Sequence, residues 1–397
     1  MKKIVMMYRD QLLPYSETFI PTQVESLQSY TGFYVGTSRT PEGNSLIPQS
    51  RSSTLSDVVS KPEIWKMAFK LAHTVHPRWF KILQELSPSI IHAHFGLDGI
   101  WGMILAQKLN IPLVVTFRGS DITGMESSRP ENERLRIDDF IWRRGQFFRD
   151  LYLKRRDRLF STAHYCFAVS DFLRSKLVEK GCPPEKAIVL YTGVNLEKFT
   201  PDLHIPVEPV VLFVGRLVEK KGCEYLIRAM AKVQLELPEA ELVVIGDGPL
   251  SSRLKTLAAD SLKRYRFLGS QPHEVVKSWM NRSTLLSLPS ITAKSGDSEG
   301  LPNVVVEAQA MRLPVVSSIH AGIPEAVLHN ETGLLAAEKD WEALSQNILT
   351  ILQNPELRER FASSGRIHIE KKFNLHRNTG KLEEFYSNIL GESLSCS

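Results

Sequence analysis

The sequence predicts an α/β protein built from two doubly wound domains that face a central cleft. Three observations lead there: strand-like apolar runs alternate with helical patterns, several runs are continuously apolar, and a proline-rich break lies near mid-chain. Continuous Val/Ile/Leu runs fit parallel strands buried on both faces, and their alternation with helices fits doubly wound sheets. A chain of 397 residues is also longer than one ordinary core requires.

The first domain is expected over 1–200, with strands at 4–8, 33–36, 90–93, 113–117, 166–169 and 188–191. The second is expected over 210–375, with strands at 210–214, 242–245, 285–288 and 315–317 and helices at 222–237 and 303–311. Between them, 201–209 holds Pro201, Pro206 and Pro209. Proline fixes φ and removes a donor, so this stretch reads as a linker. A last helix over 376–397 could pack back on the first domain. Residues 38–62, rich in Ser, Pro, Thr and Asn, read as a long mobile loop. Open α/β sheets bind ligands beyond the carboxyl ends of their strands, so the loops there are the candidates for function.

Composition narrows the class. Apolar residues make up 43% and charged residues 23%, as in globular proteins. No stretch approaches the roughly 20 apolar residues of a membrane span. Tyr8, Arg9 and Asp10 end the first apolar run too early for a signal peptide, and a cytoplasmic location is expected. Cys166, Cys182, Cys223 and Cys396 are scattered without zinc-type spacing and read as reduced thiols. Residues 1–200 carry 27 Lys+Arg against 20 Asp+Glu, whereas the remainder carries 22 against 24. A basic first half suits an anionic partner, such as a membrane surface or a phosphate-bearing acceptor. No nucleic-acid recognition motif accompanies it, so nucleic acid is not an expected partner.

The most informative segment is Ser298-Glu-Gly-Leu-Pro-Asn-Val-Val-Val-Glu-Ala308. Pro302 suits the first position of a helix, where its missing N–H costs nothing. Glu299, Gly300 and Leu301 then form a tight loop at a helix N-terminus, a place suited to phosphate. Glu307 falls one turn after Asn303 on the same face, and carboxylates accept well from sugar hydroxyls. The plainer reading is a capped helix with an internal pair. Gly215-Arg-Leu-Val-Glu-Lys-Lys-Gly222 follows a strand and puts Arg216 and Lys221 at its carboxyl end. A planar fork beside a point charge suits a diphosphate, although a Lys-Lys pair is more often a solvated turn.

These pieces, with Gly246-Asp-Gly-Pro249, Phe267-Leu-Gly269, Leu288-Pro-Ser290, Pro314-Val-Val316, Gly322-Ile-Pro-Glu325 and Gly333-Leu334, resemble family-four glycosyltransferases of the two-domain GT-B fold. Ser170-Asp171 and Gly193-Val-Asn195 with Phe199-Thr-Pro201 extend the likeness, which covers roughly 85–375. The resemblance implies two Rossmann-like domains and retaining transfer from a nucleotide-diphosphate sugar. It implies Arg216 and Lys221 on the diphosphate, Glu299 on sugar hydroxyls, backbone from Gly300, Leu301, Pro302 and Asn303 on sugar and phosphate, Glu307 on the ribose, and Gly246 near the donor. No cofactor and no metal are expected, because cations and a helix end supply the positive charge. A lipid-linked or oligosaccharide acceptor in polysaccharide assembly is expected as partner.

On the acceptor side, Leu13-Pro-Tyr-Ser-Glu-Thr-Phe-Ile20 resembles the entry segment of members that build bacterial exopolysaccharides. Ser16, Glu17 and Thr18 are candidates there, although Ser-Glu-Thr also makes a plain helix cap. His92 and His94 end a strand and are expected to face the cleft. Arg118 stands where such enzymes commonly carry a histidine that touches the donor sugar, and arginine cannot act as a base. Segment 129–158, with ten Lys/Arg among interleaved aromatics, is a candidate surface for anionic lipid at the inner face of the cytoplasmic membrane. A nucleotide-sugar epimerase of the same fold and a non-catalytic nucleotide-sugar binder are the competing readings. A nicotinamide dehydrogenase is set aside, because no Gly-x-Gly-x-x-Gly follows the first strand.

Overall fold

The apolar runs become strands in two parallel sheets. The computed structural model describes residues 2–14, 17–41, 43–124 and 139–392, apart from the side chains of Asn44 and 139–149. The strands are Lys3–Tyr8 (β1), Gln11–Leu12 (β2), Tyr30–Gly36 (β3), Ser38–Arg39 (β4), Ser52–Thr54 (β5), Ile90–His94 (β6), Leu113–Phe117 (β7), Tyr165–Ala168 (β8), Ala187–Val189 (β9), Glu208–Val214 (β10), Glu241–Ile245 (β11), Tyr265–Phe267 (β12), Ser283–Leu288 (β13), Val315–Ser318 (β14) and Gly333–Ala336 (β15). Among the described residues one large sheet runs β5-β3-β1-β6-β7-β8-β9, the other β12-β11-β10-β13-β14-β15, and β2 and β4 form a separate two-stranded sheet. All their pairings are parallel, for example His94 beside Thr116 and Val214 beside Ile245.

Central strands are buried on both faces. Val5, Met6, Ile91, Val114, Leu212 and Val243 are fully buried. Each such side chain contributes about 1.5–3 kcal/mol relative to exposure, so the sheets are the core. Reversal of strand order about β1/β6 and about β10/β13 is the topological switch point at which open α/β sheets take ligands.

The chain divides into Met1–Thr192 with Leu375–Ser397, and Gly193–Asn374. The division precedes the proline-rich stretch 201–209. The reason is local: Val194 donates to the Phe373 carbonyl, and the Asp202 N–H donates to Asn281, so these residues are held by the second unit. The C-terminal helix Leu375–Leu390 instead packs Leu382 and Tyr386 into the core of the first unit.

Residues 38–62 are not the long loop their composition predicts. Ser52–Thr54 pairs with β3, and Thr54 forms a reciprocal capping box with Asp57 at the helix Leu55–Val58. Leu55 and Thr54 are fully buried. Short polar residues here serve edge pairing and capping, which composition does not distinguish from a loop. Among the described residues no helix is long and apolar enough to cross a membrane, and Cys166, Cys182 and Cys223 are buried free thiols.

Candidate functional site

In the second unit, loops at the carboxyl ends of β10, β11, β13 and β14 interlock. Gly215 donates to the Ile245 carbonyl, and Leu217 to that of Asp247. Gly246 has φ +138, and a Cβ there would lie 2.0 Å from the Gly215 carbonyl oxygen. Gly222 has φ +66, with a Cβ position 1.8 Å from the Pro289 carbonyl oxygen. Only glycine accepts both the backbone angle and the close approach at either position.

That approach brings Lys221 to Glu299, with Nζ and Oε1 2.9 Å apart. The neighbouring Lys220 takes Asp297 at 3.1 Å. Burial alone would raise the Glu299 carboxyl, but Lys221 and Lys220 outweigh it and hold the group below its ordinary value. The Glu299 backbone N–H donates to His320 Nε2 at 3.2 Å. His320 Nδ1 therefore carries the proton and donates to Glu338, 2.6 Å away, which also accepts from the Thr292 N–H at 2.8 Å. Gly322 donates to the Gly300 carbonyl and closes the loop. His320, Glu338 and Thr292 escaped the sequence reading. The available signal was a histidine just past β14, the same signal that drew attention to β6.

Pro302 occupies the position before the helix Asn303–Ala310 and is not its first residue. Its ψ of 116 keeps it extended, and no side chain caps the helix. Leu301 and Asn303 are half-buried, and Gly300 is buried beside them. Glu307 is half-buried, one turn into the helix. Burial pushes its carboxyl up to about 7 against the opposing charge of Lys198. Neither Glu307 nor the exposed Arg216 makes a side-chain ion pair or hydrogen bond among the described residues. The second unit thus joins Glu299 to Lys221 directly and leaves Arg216 and Glu307 unpartnered.

The first unit assigns its candidates differently. His92 is fully buried, with Nδ1 2.5 Å from the Tyr386 hydroxyl and Nε2 2.7 Å from that of Thr116. Both nitrogens are taken, so His92 does not face an open cleft. Strand alternation puts it under the C-terminal helix. Glu17 spends both oxygens on Arg9, at 2.9 and 2.8 Å, while Arg9 Nη1 reaches Asp98 at 2.7 Å. Glu17 is therefore a structural ion-pair partner and not a free contact. Burial raises the Asp98 carboxyl to about 7 against the pull of Arg9. Thr18 precedes the helix Phe19–Glu25 without capping it through its side chain. Ser16 lies outside the described residues. His94 and Arg118 meet, with Arg118 Nη2 3.1 Å from His94 Nδ1.

Two parallel-sheet Rossmann-like units with ligand-type loops at their strand ends define the GT-B architecture. Solved structures agree. Sucrose-phosphate synthase from Thermosynechococcus elongatus aligns over 99% of this chain and 100% of its own with a TM-score of 0.76 at 20% identity. Anabaena HepE in complex with UDP-glucose aligns over 97% and 99% with a TM-score of 0.75 at 17% identity. Residues 33–198 match the family model described as Glycosyltransferase Family 4, and residues 197–368 the model described as Glycosyl transferases group 1. Together the two models account for residues 33–368, and this chain belongs to the glycosyltransferases that they describe. It is 36% identical over 238 residues to the amylovoran biosynthesis glycosyltransferase AmsK of Erwinia amylovora, covering 58% of each chain. It is 33% identical over 274 residues to the putative colanic acid biosynthesis glycosyltransferase WcaL of Escherichia coli, covering 66% of this chain and 61% of that one. The chain thus spans about three-fifths of the length of these curated relatives.

Proposed function

We propose that the protein is a retaining glycosyltransferase that moves a hexose from a nucleotide-diphosphate sugar to a lipid-linked or oligosaccharide acceptor in polysaccharide assembly. The observation that carries this reading is Glu299, held between Lys221 and His320 at the mouth of an uncapped helix. Such a carboxylate can grip donor hydroxyls while the helix end, Lys221 and Arg216 meet the diphosphate. The unpartnered Glu307 suits the ribose. Gly246 lets the loop after β11 close on Gly215, next to Arg216. The relatives named for amylovoran and colanic acid biosynthesis support the product class, and the neighbour bound to UDP-glucose supports the donor class.

In the proposed step the acceptor hydroxyl attacks the anomeric carbon as the bond to the diphosphate oxygen breaks. The departing phosphate takes the hydroxyl proton, so the protein supplies positioning and charge without a metal or other cofactor. The reaction is assigned to the cytoplasm.

The test is transfer from a panel of labelled UDP- and GDP-sugars, with the product anomer read by NMR. Retained configuration and transfer are expected. An inverted product overturns retention, saturable donor binding without transfer marks a binder, and donor conversion without acceptor marks an epimerase. Arg216→Ala and Glu307→Ala are each expected to cut turnover by about 10²-fold or more with the fold intact. Near-wild-type transfer in both puts the site elsewhere. A chelator is expected to leave turnover unchanged, and a loss restored by magnesium or manganese refutes the metal-free reading.

A further inference from the structure

The two arginines at the carboxyl ends of the first sheet differ in one respect. Arg9 has every guanidinium nitrogen on a carboxylate, two on Glu17 and one on Asp98. Arg118 has none among the described residues. Its Nη1 donates to the Thr192 hydroxyl at 2.9 Å, its Nη2 meets His94, and the Phe19 ring lies 4.1 Å from its central carbon. Asp121 is near, yet its oxygens accept from the backbone N–H groups of Gly96, Arg118 and Gly119. The Arg118 Nε–H is buried without a partner among the described residues.

His94 adds a second orphan donor. Arginine only donates, so His94 Nδ1 must accept from it. Burial lowers the His94 pKa, with the charges of Arg118 and Arg9 acting the same way, so the ring is neutral and its proton sits on Nε2. That Nε2 is buried and has no partner among the described residues, and His94 as a whole is fully buried. An unmade buried hydrogen bond costs about 1–3 kcal/mol, and two on touching residues beside a cation mark a place built for something negative.

We propose that Arg118 and His94 form a binding site for an oxyanion carried by a substrate, either a sugar carboxylate or a phosphate. A planar guanidinium donates well to an oxyanion, which would balance its charge, and His94 is coupled to that site through its Nδ1 contact with Arg118 Nη2. Arg118 as a whole is half-buried, so part of the guanidinium side chain reaches the surface above the two buried donors. The assignment of the anion to a substrate rests on the transferase reading above.

The test reads the site directly in the full chain labelled with 15N-arginine and 15N-histidine. The Arg118 Nε–H and His94 Nε2–H signals are assigned by their loss in Arg118→Lys and His94→Gln. Sodium glucuronate, inorganic phosphate, farnesyl phosphate and neutral glucose are then titrated. At least one oxyanion is expected to shift both signals saturably, while glucose shifts neither. Arg118→Gln is expected to weaken that oxyanion about tenfold or more, and Arg118→Lys less. Response to glucuronate alone identifies a carboxylate-bearing sugar. Response to both phosphates identifies a phosphate-bearing substrate. Signals unmoved by every oxyanion, or moved equally by glucose, overturn the proposal. Turnover in the same wild-type sample separates the two readings: active protein with silent signals sinks this inference alone, whereas saturable shifts without any turnover leave the site standing and count against the transferase.

Discussion

Glu307 carries a prediction that follows from its surroundings. Its carboxyl lies near 7 because burial disfavours the charge and Lys198 restores only part of it. Ribose hydroxyls donate to the ionised form, so donor binding should draw the proton off. The sign follows: affinity is low where the group is protonated and rises as pH passes upward through about 7. Nucleotide-diphosphate affinity should therefore increase about tenfold from pH 6 to pH 8, and Glu307→Gln should flatten that rise. Calorimetric titration at several pH values measures it. An unchanged slope in the variant would detach Glu307 from the nucleotide. Asp98 also titrates near 7, but it belongs to the Arg9 cluster of the first unit and remains in both proteins, so the difference between them isolates Glu307.

At the scale of elements, the C-terminal helix closes the first sheet through a buried polar chain. Glu383 accepts from the Ser29 N–H at 2.7 Å, Tyr30 and Ser387 share a hydroxyl bond of 2.8 Å, and Tyr386 meets His92. Tyr30 and Tyr386 also pack edge to face with centroids 5.4 Å apart. Tyr386→Phe keeps the ring packing and removes only the hydroxyl, leaving His92 Nδ1 unsatisfied. The expected cost is about 1–3 kcal/mol in chemical denaturation. A change near zero would show that this bond contributes nothing net. The helix itself is legible in the sequence through its apolar spacing. Its return to the first domain is also expected from the sequence, but its pairing with His92 is not, because Tyr386 and His92 lie 294 positions apart and no local pattern pairs them.

For the whole molecule, the question is what the basic first half meets. Residues 129–138 and the side chains through 149 lie outside the described residues, so Arg129, Arg143, Arg144 and Arg149 carry only the sequence argument. The described part adds a neighbouring feature. The helix Pro62–Ala72 exposes Ile64, Met67 and Leu71 at 63%, 41% and 40%, a spacing that puts them on one stripe. Its terminal His73 lies 2.5 Å from Arg155. An apolar stripe beside cations suits an anionic bilayer, where each basic residue contributes about 1 kcal/mol. Sedimentation with anionic vesicles should show binding at low salt that falls at high salt and drops when Arg143, Arg144, Arg155 and Arg156 become Gln. Absence of binding at low salt would end the membrane assignment.

The parallel sheets, the loop 215–222 and the loop-helix 298–308 were all legible from residue order. Each rests on local physics: β-branched runs, helix starts and backbone freedom act over a few positions. Tertiary structure alone decided the rest. It spent Glu17 on Arg9 and His92 on Tyr386, closed Lys221 onto Glu299, brought His320 and Glu338 behind that carboxylate, and left Arg118 Nε and His94 Nε2 without an acceptor among the described residues. Hydrogen-bond satisfaction is a property of neighbours in space, and parallel sheets bring together residues that the chain holds far apart.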